Sequence, residues 1–151
     1  MPATSIVMTE QDYARPYAVL GMQVSVLASG EKTGSYEIVQ LAGDHDSGLP
    51  AHHHPWAESF YILKGEVEFG LGEDITWGAP GTVIHIPAGV THGFHFGQAG
   101  AVVLSVASRP GTARLYASLD RELSADQSDL SKLGAIGARY GFTVVSKNNH
   151  V

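Results

Sequence analysis

The feature that most constrains the fold is a series of short alternating segments between residues 22 and 107, each closed by glycine or proline. Alternation with period two is typical of half-buried strands. Lys64-Gly65 separates two such segments and predicts a hairpin turn. Seven strands at this spacing favour an all-β sandwich or small barrel. The predicted strands are 22–27, 35–41, 58–63, 66–69, 82–86, 93–96 and 101–107.

The hydrophobic period changes to 3.6 after residue 111. Leu115, Leu119 and Leu123 recur every four residues, and a second stripe over 130–140 ends at Gly141, a candidate C-cap. We expect a barrel over about 20–108 and short helices over about 112–141 that pack against its outside. Residues 142–145 are a candidate edge strand. No linker composition interrupts the chain, so 1–151 is predicted to be a single domain.

Charge argues against several classes of partner. The chain carries 9 basic and 15 acidic residues, and Lys64 is the only cation between residues 33 and 108. A nucleic-acid surface needs clustered Lys and Arg, so no nucleic-acid binding is expected. No apolar run is long enough to cross a membrane, and the N-terminal residues do not resemble a signal peptide. With no cysteine for disulfides, we expect a cytoplasmic protein.

The segment from Gly48 to Gly65 carries the most distinctive chemistry, a run of three histidines followed by Glu58. Side chains two residues apart on a strand share one face at a spacing of about 7 Å, so His52 and His54 point the same way. His53 must point to the other face. Glu58 has the parity of His54 and can return to that face after the turn. Two imidazoles and a carboxylate suit a divalent metal. The alternative is an exposed loop with adventitious metal affinity.

A second segment, residues 81–96, favours the metal site. It places His92 directly after the turn Pro87-Ala88-Gly89 and at the start of an alternating strand. His85 lies before this turn, either as a hydrogen-bonded strand residue or as a further ligand. His45 lies in a loop and is most simply solvated.

Together the two segments resemble the signature motifs of the cupin family. The first motif, H-x-H-x3-E-x6-G, is matched without a gap by His52, His54, Glu58 and Gly65. The second, G-x5-P-x-G-x2-H-x3-N, is matched by Gly81, Pro87, Gly89 and His92. The leading glycine of the first motif falls at Asp46, and Phe96 replaces the closing asparagine. Neither departure touches a ligand position.

The resemblance implies a double-stranded β-helix, the jelly-roll barrel of cupins, with one metal ion near a mouth. The implied ligands are His52, His54, Glu58 and His92. Iron, manganese, nickel, copper and zinc all accept such donors, and affinity order does not choose among them.

Strand parity predicts the walls of the pocket. Phe94 and Phe96 share the face of His92, while Phe60 and Ile62 share that of Glu58; Trp56, in the turn between ligands, is a candidate for the rim or for simple packing. Few cations are near, although Arg15, Lys32, Arg109 and Arg114 could reach a mouth. We therefore expect a small neutral aromatic or enolic substrate rather than oxalate or a sugar phosphate.

Three functions remain open at this point. The chain resembles quercetin 2,3-dioxygenase-like cupins, which implies a metal-dependent dioxygenase acting on a phenol, enol, diketone or flavonol, with Glu58 as ligand and base. It also resembles small cupin polyketide cyclases, which implies a cyclase or isomerase using the metal as a Lewis acid. The third is a non-catalytic module that binds a small molecule or metal. A homodimer is expected in each case, with residues 142–145 as a candidate contact.

Overall fold

Nine antiparallel strands form a curled sheet in the part of the chain that the structure, a computed structural model, describes: residues 4–123 and 129–145. The strands are β1 (Tyr17–Val19), β2 (Met22–Ala28), β3 (Glu37–Gly43), β4 (Gly48–His53), β5 (Glu58–Leu71), β6 (Asp74–Gly78), β7 (Val83–Ile86), β8 (His92–Ala107) and β9 (Thr143–Val144). The helices are α1 (Gly30–Thr33), α2 (Thr112–Glu122) and α3 (Leu130–Ala138), and a 3₁₀ turn covers Glu10–Asp12.

Two long strands build the barrel by contributing one half each to two facing layers. The first half of β5 and the second half of β8 lie side by side, flanked by β7 on one side and by β3, β2 and β1 on the other. The second half of β5 and the first half of β8 are flanked by β6 on one side and by β4 and β9 on the other. This is the double-stranded β-helix that the motifs predicted.

The predicted hairpin at Lys64-Gly65 is wrong. β5 continues through these residues as one strand of 14 residues, with register shifts against β8 on both sides of them. Gly65 has φ +77°, and a Cβ there would lie 2.0 Å from the carbonyl oxygen of Gly100 on β8. The glycine therefore marks an irregular bend where the two strands come close together, rather than a turn between strands. The predicted strands 93–96 and 101–107 are likewise the two halves of β8.

Alternation along β5 and β8 places side chains of the core and of the site on the same inward face of the barrel. Phe60, Ile62, Phe94 and Phe96 are all buried, while Tyr61 is exposed. The inward face of the barrel is therefore aromatic and aliphatic, as parity predicted. At one end of the barrel this apolar lining gives way to the histidines.

The start of β4 explains the displaced motif glycine. Asp46 adopts φ +66°, a left-handed conformation that Asp and Asn tolerate better than most residues. Gly48 is required for a different reason: a Cβ there would lie 2.0 Å from the carbonyl oxygen of Phe94. Asp46 thus adopts, at the position where the motif has glycine, a backbone conformation that glycine adopts most readily.

The C-terminal helices differ from the prediction in where they pack. Leu115, Leu119, Leu123 and Leu133 are buried in the main core, so the first stripe is confirmed as a packing face, whereas the second is confirmed only in part because Leu130 at its start is 44% exposed. However, α2 lies over the mouth of the barrel rather than on its outer wall, as its residues beside the histidines show. β9 pairs with β4 of the same chain, with His52 opposite Val144, so this edge of the 142–145 segment is occupied within the chain.

Candidate metal centre

Three histidines meet where β4 and β8 run side by side. His52 and His92 are direct partners across the β4–β8 pairing, and His54 follows in the turn after β4. All three side chains are at most 3% exposed. One ring nitrogen from each lies within 4.8 Å of the other two, a spacing that could hold one metal ion.

Backbone carbonyls orient all three imidazoles. Nδ1 of His52 lies 2.8 Å from the carbonyl oxygen of Pro50, Nδ1 of His92 lies 2.8 Å from that of Val90, and Nδ1 of His54 lies 2.9 Å from that of Trp56. A carbonyl oxygen only accepts, so each Nδ1 donates its proton, and the Nε2 of a neutral ring then carries the lone pair that a metal ion binds. This arrangement is typical of histidines that bind metals.

The polar atoms of the site fit a metal ion. Nε2 of His92 is buried and has no hydrogen-bond partner among the described residues. Burial lowers the pKa of His52 to about 3, with the neighbouring His92 adding to the effect, so this ring is neutral at pH 7 and able to coordinate. Neutral imidazoles and a carboxylate are donors that divalent iron, manganese, nickel, copper and zinc accept.

Glu58, the first residue of β5, lies beside two of these histidines. Its Oε1 lies 3.1 Å from Nε2 of His54 and 3.7 Å from Nε2 of His92. Its Oε2 accepts a hydrogen bond of 2.5 Å from the hydroxyl of Ser105 on β8. Burial raises the pKa of Glu58, but the neighbouring imidazoles of His54 and His92 and the hydrogen bond from Ser105 outweigh burial and lower the pKa to about 2. The carboxylate is therefore ionised, with one oxygen beside the histidines and the other held by Ser105.

Two aromatic rings cover two of the histidines. The indole of Trp56 stacks on His54 with centroids 4.1 Å apart, and the ring of Phe142 stacks on His52 at 4.2 Å. The guanidinium carbon of Arg109 in turn lies 5.2 Å from the centroid of Trp56. Each stacked ring restricts the rotation of the imidazole that it covers.

The cavity beside His52 and His54 is small. Its volume of about 10 Å³ corresponds to roughly one water molecule. α2 forms part of its wall, which explains why the mouth is not open as expected from the barrel alone. The lining residues are Leu49, His52, His54, Trp56, Glu58, Phe60, Thr112, Leu115, Tyr116 and Phe142.

The predicted pocket residues separate into two groups. Phe60 and Trp56 line the cavity. Ile62, Phe94 and Phe96 share the inward face but do not line this cavity; Phe94 contacts the rings of Phe60 and Phe96 and, with His92, lines a second and larger cavity. Of these inward-facing residues, only Phe60 therefore lines the cavity beside His52 and His54.

The cations that could have reached the mouth are engaged elsewhere. Arg15 pairs with Asp120 at 2.9 Å and Arg114 with Glu31 at 2.6 Å, both on the surface. Lys32 is also outside the site, and Arg109 lies on the far side of Trp56. Among the described residues, no Lys or Arg lines the cavity.

Three further histidines lie outside the cluster. His53 points away from the cavity and pairs through its backbone with Thr143. His85 is exposed and its Nδ1 lies 3.1 Å from the hydroxyl of Ser59. His45 is exposed beside Asp46. None of the three joins the cluster formed by His52, His54 and His92.

Sequence reasoning missed three polar residues at the site. Ser105 sits at an inward position of an otherwise apolar alternation, Ala101-Val103-Ser105-Ala107, a signal that was available. Thr112 and Tyr116 lie on α2, and only the placement of that helix brings them to the cavity. Burial raises the pKa of Tyr116 well above its ordinary value, and the charges of Glu58 and Glu37 raise it further, so the phenol keeps its proton.

Comparison with known proteins supports the fold and the motifs. Residues 38–107 match the cupin domain family. The chain contains a cupin domain. A segment of 69 residues is 36% identical to an uncharacterised protein of Streptomyces coelicolor, covering 46% of this chain and 63% of that protein, so it spans less than two thirds of this relative.

Solved cupin structures resemble this one at low sequence identity. KdgF from Halomonas sp. has a TM-score of 0.64 at 19% identity, covering 70% of this chain and 94% of that one. The polyketide cyclase RemF from Streptomyces resistomycificus has a TM-score of 0.61 at 21% identity, covering 70% and 80%. A predicted oxalate decarboxylase from Thermotoga maritima has a TM-score of 0.63 at 18% identity, covering 69% and 99%. At these identities the likeness concerns the fold alone.

Within residues 4–123 and 129–145, no helix is long and apolar enough to cross a bilayer.

Proposed function

We propose that this cupin is a metal-dependent dioxygenase that acts on a small, neutral, enolisable oxygen compound such as a β-diketone. The observation that carries the proposal is a cluster of three histidines beside an ionised Glu58, at a cavity that His52, His54 and Glu58 line and that no Lys or Arg among the described residues lines. A redox-active metal held by these residues would supply the chemistry with dioxygen.

The size and lining of the cavity support a small substrate. A volume of about 10 Å³ is far below that of a flavonol or a multi-ring polyketide. The walls are aromatic and aliphatic apart from the ligands and the hydroxyls of Thr112 and Tyr116. A neutral dicarbonyl loses little hydration on entering such a site, whereas oxalate would require a charged partner.

Glu58 has a second role in this proposal. It is the only carboxylate that lines the cavity among the described residues. It is therefore the group placed to accept the proton that a dicarbonyl loses when it becomes an enolate. Ser105 holds the second oxygen and keeps the carboxylate in position.

Oxygen consumption by the iron(II)-loaded protein tests the proposal. We expect one dioxygen consumed per acetylacetone, both atoms of labelled dioxygen in the products, and no hydrogen peroxide. His54→Ala should abolish uptake, while His53→Ala, which alters a histidine outside the cluster, should not.

The alternatives predict other outcomes. Conversion of a substrate without dioxygen would indicate a cyclase or isomerase, and tight binding without conversion would indicate a binding module. Uptake of dioxygen with quercetin but not with acetylacetone would contradict the small-substrate proposal.

A further inference from the structure

Two buried hydrogen-bonding groups beside the histidines have no partner. The indole N–H of Trp56 and the hydroxyl of Thr112 are buried, with side chains that are 3% and 4% exposed, and neither has a hydrogen-bond partner among the described residues. Buried polar groups are nearly always paired, because an unpaired one keeps the cost of desolvation without compensation. Both side chains line the same small cavity as His52, His54 and Glu58.

The surroundings of Trp56 indicate which way its N–H faces. A Cβ built on Gly141 would lie 3.5 Å from Cζ3 of Trp56, and one built on Gly111 would lie 3.9 Å from Cζ3 and Cη2. The benzene edge of the indole therefore faces these two loop glycines. The N–H belongs to the other edge, away from both loops.

The helix that carries Thr112 is held firmly over the site. The backbone N–H of the next residue, Ala113, donates to Glu37 at 3.0 Å, and Glu37 also accepts from the N–H of Gly30 at 2.8 Å. Thr112 therefore reaches the cavity from a fixed helix start, and Trp56 reaches it from the turn between two metal ligands. The indole N–H and the hydroxyl therefore come from two separate segments of the chain.

We propose that Trp56 and Thr112 form a pair of neutral donors that binds an oxygen of the ligand held at the metal centre. Resting on the proposed function, this inference identifies the ligand class: a small molecule with one oxygen for the metal and a second acceptor oxygen for the donor pair. The enolate of a β-diketone carries two such oxygens. Because both donors are neutral, the pair suits a carbonyl or singly charged oxygen better than a dianion.

Entry of such a ligand requires more room than the cavity now has. A β-diketone is several times larger than one water molecule, so α2 or Phe142 must shift outward when it binds. The donor pair then forms hydrogen bonds that the free protein lacks. These new hydrogen bonds contribute part of the binding free energy, because they end the cost of keeping two buried donors unpaired.

Binding to the zinc-loaded protein under nitrogen tests the donor pair without any turnover. Calorimetry should compare acetylacetone, which offers a second acceptor oxygen, with imidazole, which binds metals through nitrogen and offers none. Thr112→Val and Trp56→Phe keep the size or the ring but remove the donor, and each should weaken acetylacetone about tenfold. Imidazole and zinc affinity should stay within about threefold. Zinc content measured before and after titration excludes stripping by acetylacetone.

Thr76→Val is the matched control, because it makes the same change at an exposed position on β6. It should leave both ligands unaffected. Thr112→Val should also raise the melting temperature of the ligand-free protein by about 2–4 °C, since a methyl group replaces a buried unpaired hydroxyl.

Three outcomes would overturn the inference. These are unchanged acetylacetone affinity in both variants, an equal loss for acetylacetone and imidazole, and no acetylacetone binding to the parent protein. The proposed function fails separately. If binding depends on the donors but the iron-loaded protein consumes no dioxygen, the donor pair stands and the dioxygenase proposal does not.

Discussion

Glu37 is the residue on which we expect the position of α2 to depend most. It is 2% exposed, and its two carboxylate oxygens accept from the N–H groups of Gly30 and Ala113, at the starts of α1 and α2. The N-cap of α2, Gly111, provides no side-chain cap of its own. One carboxylate on β3 thus caps two helices and joins the helix over the site to the barrel.

Glu37→Gln measures this contribution with little change of shape. The amide keeps one acceptor oxygen, but its NH₂ group must face one of the two backbone N–H donors. A hydrogen bond to a charged acceptor contributes about 1.5–3 kcal/mol, and a buried N–H left unpaired costs about 1–3 kcal/mol. Because these overlap, we expect a loss of about 2–4 kcal/mol in the free energy of unfolding. For a chain of this length the melting temperature should fall by about 5–15 °C.

Glu31→Gln is a matched control on the neighbouring helix α1. Glu31 pairs with Arg114 at 2.6 Å, and both side chains are about two thirds exposed. An exposed pair contributes at most about 1 kcal/mol. Urea unfolding should separate the two variants clearly, and hydrogen exchange should show faster exchange in α2 for Glu37→Gln only. If both variants unfold within 1 °C of each other, the proposed role of Glu37 is wrong.

Three further predictions concern the metal, acid stability and assembly. His54→Ala should lower metal affinity at least a hundredfold in titrations of chelated protein, and His53→Ala should leave it within a few-fold; equal effects would contradict the assigned ligands. The metal-free protein should lose stability to urea as pH falls from 6.5 towards 3, because the unfolded chain binds a proton at His52 in this range and the folded chain, in which the pKa of His52 is about 3, does not. This loss should reach up to about 1.4 kcal/mol per pH unit. Glu58, with its pKa lowered to about 2, adds a second loss as pH falls from 4.5 to 2, and a flat profile between pH 6.5 and 3 would refute this linkage. We expect a homodimer at micromolar concentration in sedimentation, with Val83→Lys on the exposed face of β7 shifting it towards monomer; a parent protein sedimenting at 16.0 kDa would exclude it.

The histidines could be predicted from the sequence because their geometry is local. His52 and His54 share a face through strand parity, and the turn before His92 places it at the start of the neighbouring strand. The same locality explains the correct placement of His53 and Tyr61 away from the interior. The hairpin predicted at Lys64-Gly65 is wrong because glycine between two alternating segments is equally typical of a turn between strands and of a bend within one strand.

The cover over the site could not be predicted in the same way. The leucine stripe of α2 shows that one helix face is buried, but a stripe carries no information about what it packs against. The choice is made by contacts far apart in sequence, above all the bond between Glu37 and the N–H of Ala113. Those contacts bring Thr112 and Tyr116 to the cavity.

This cover also changes what the barrel can bind. From strand parity alone, Phe94 and Phe96 are predicted to be walls of the substrate pocket. With α2 and Phe142 in place, these two rings belong to the core, and the space beside the histidines holds about one water molecule. We therefore expect the C-terminal elements, rather than the barrel, to limit the size of the ligand that reaches His52 and His54.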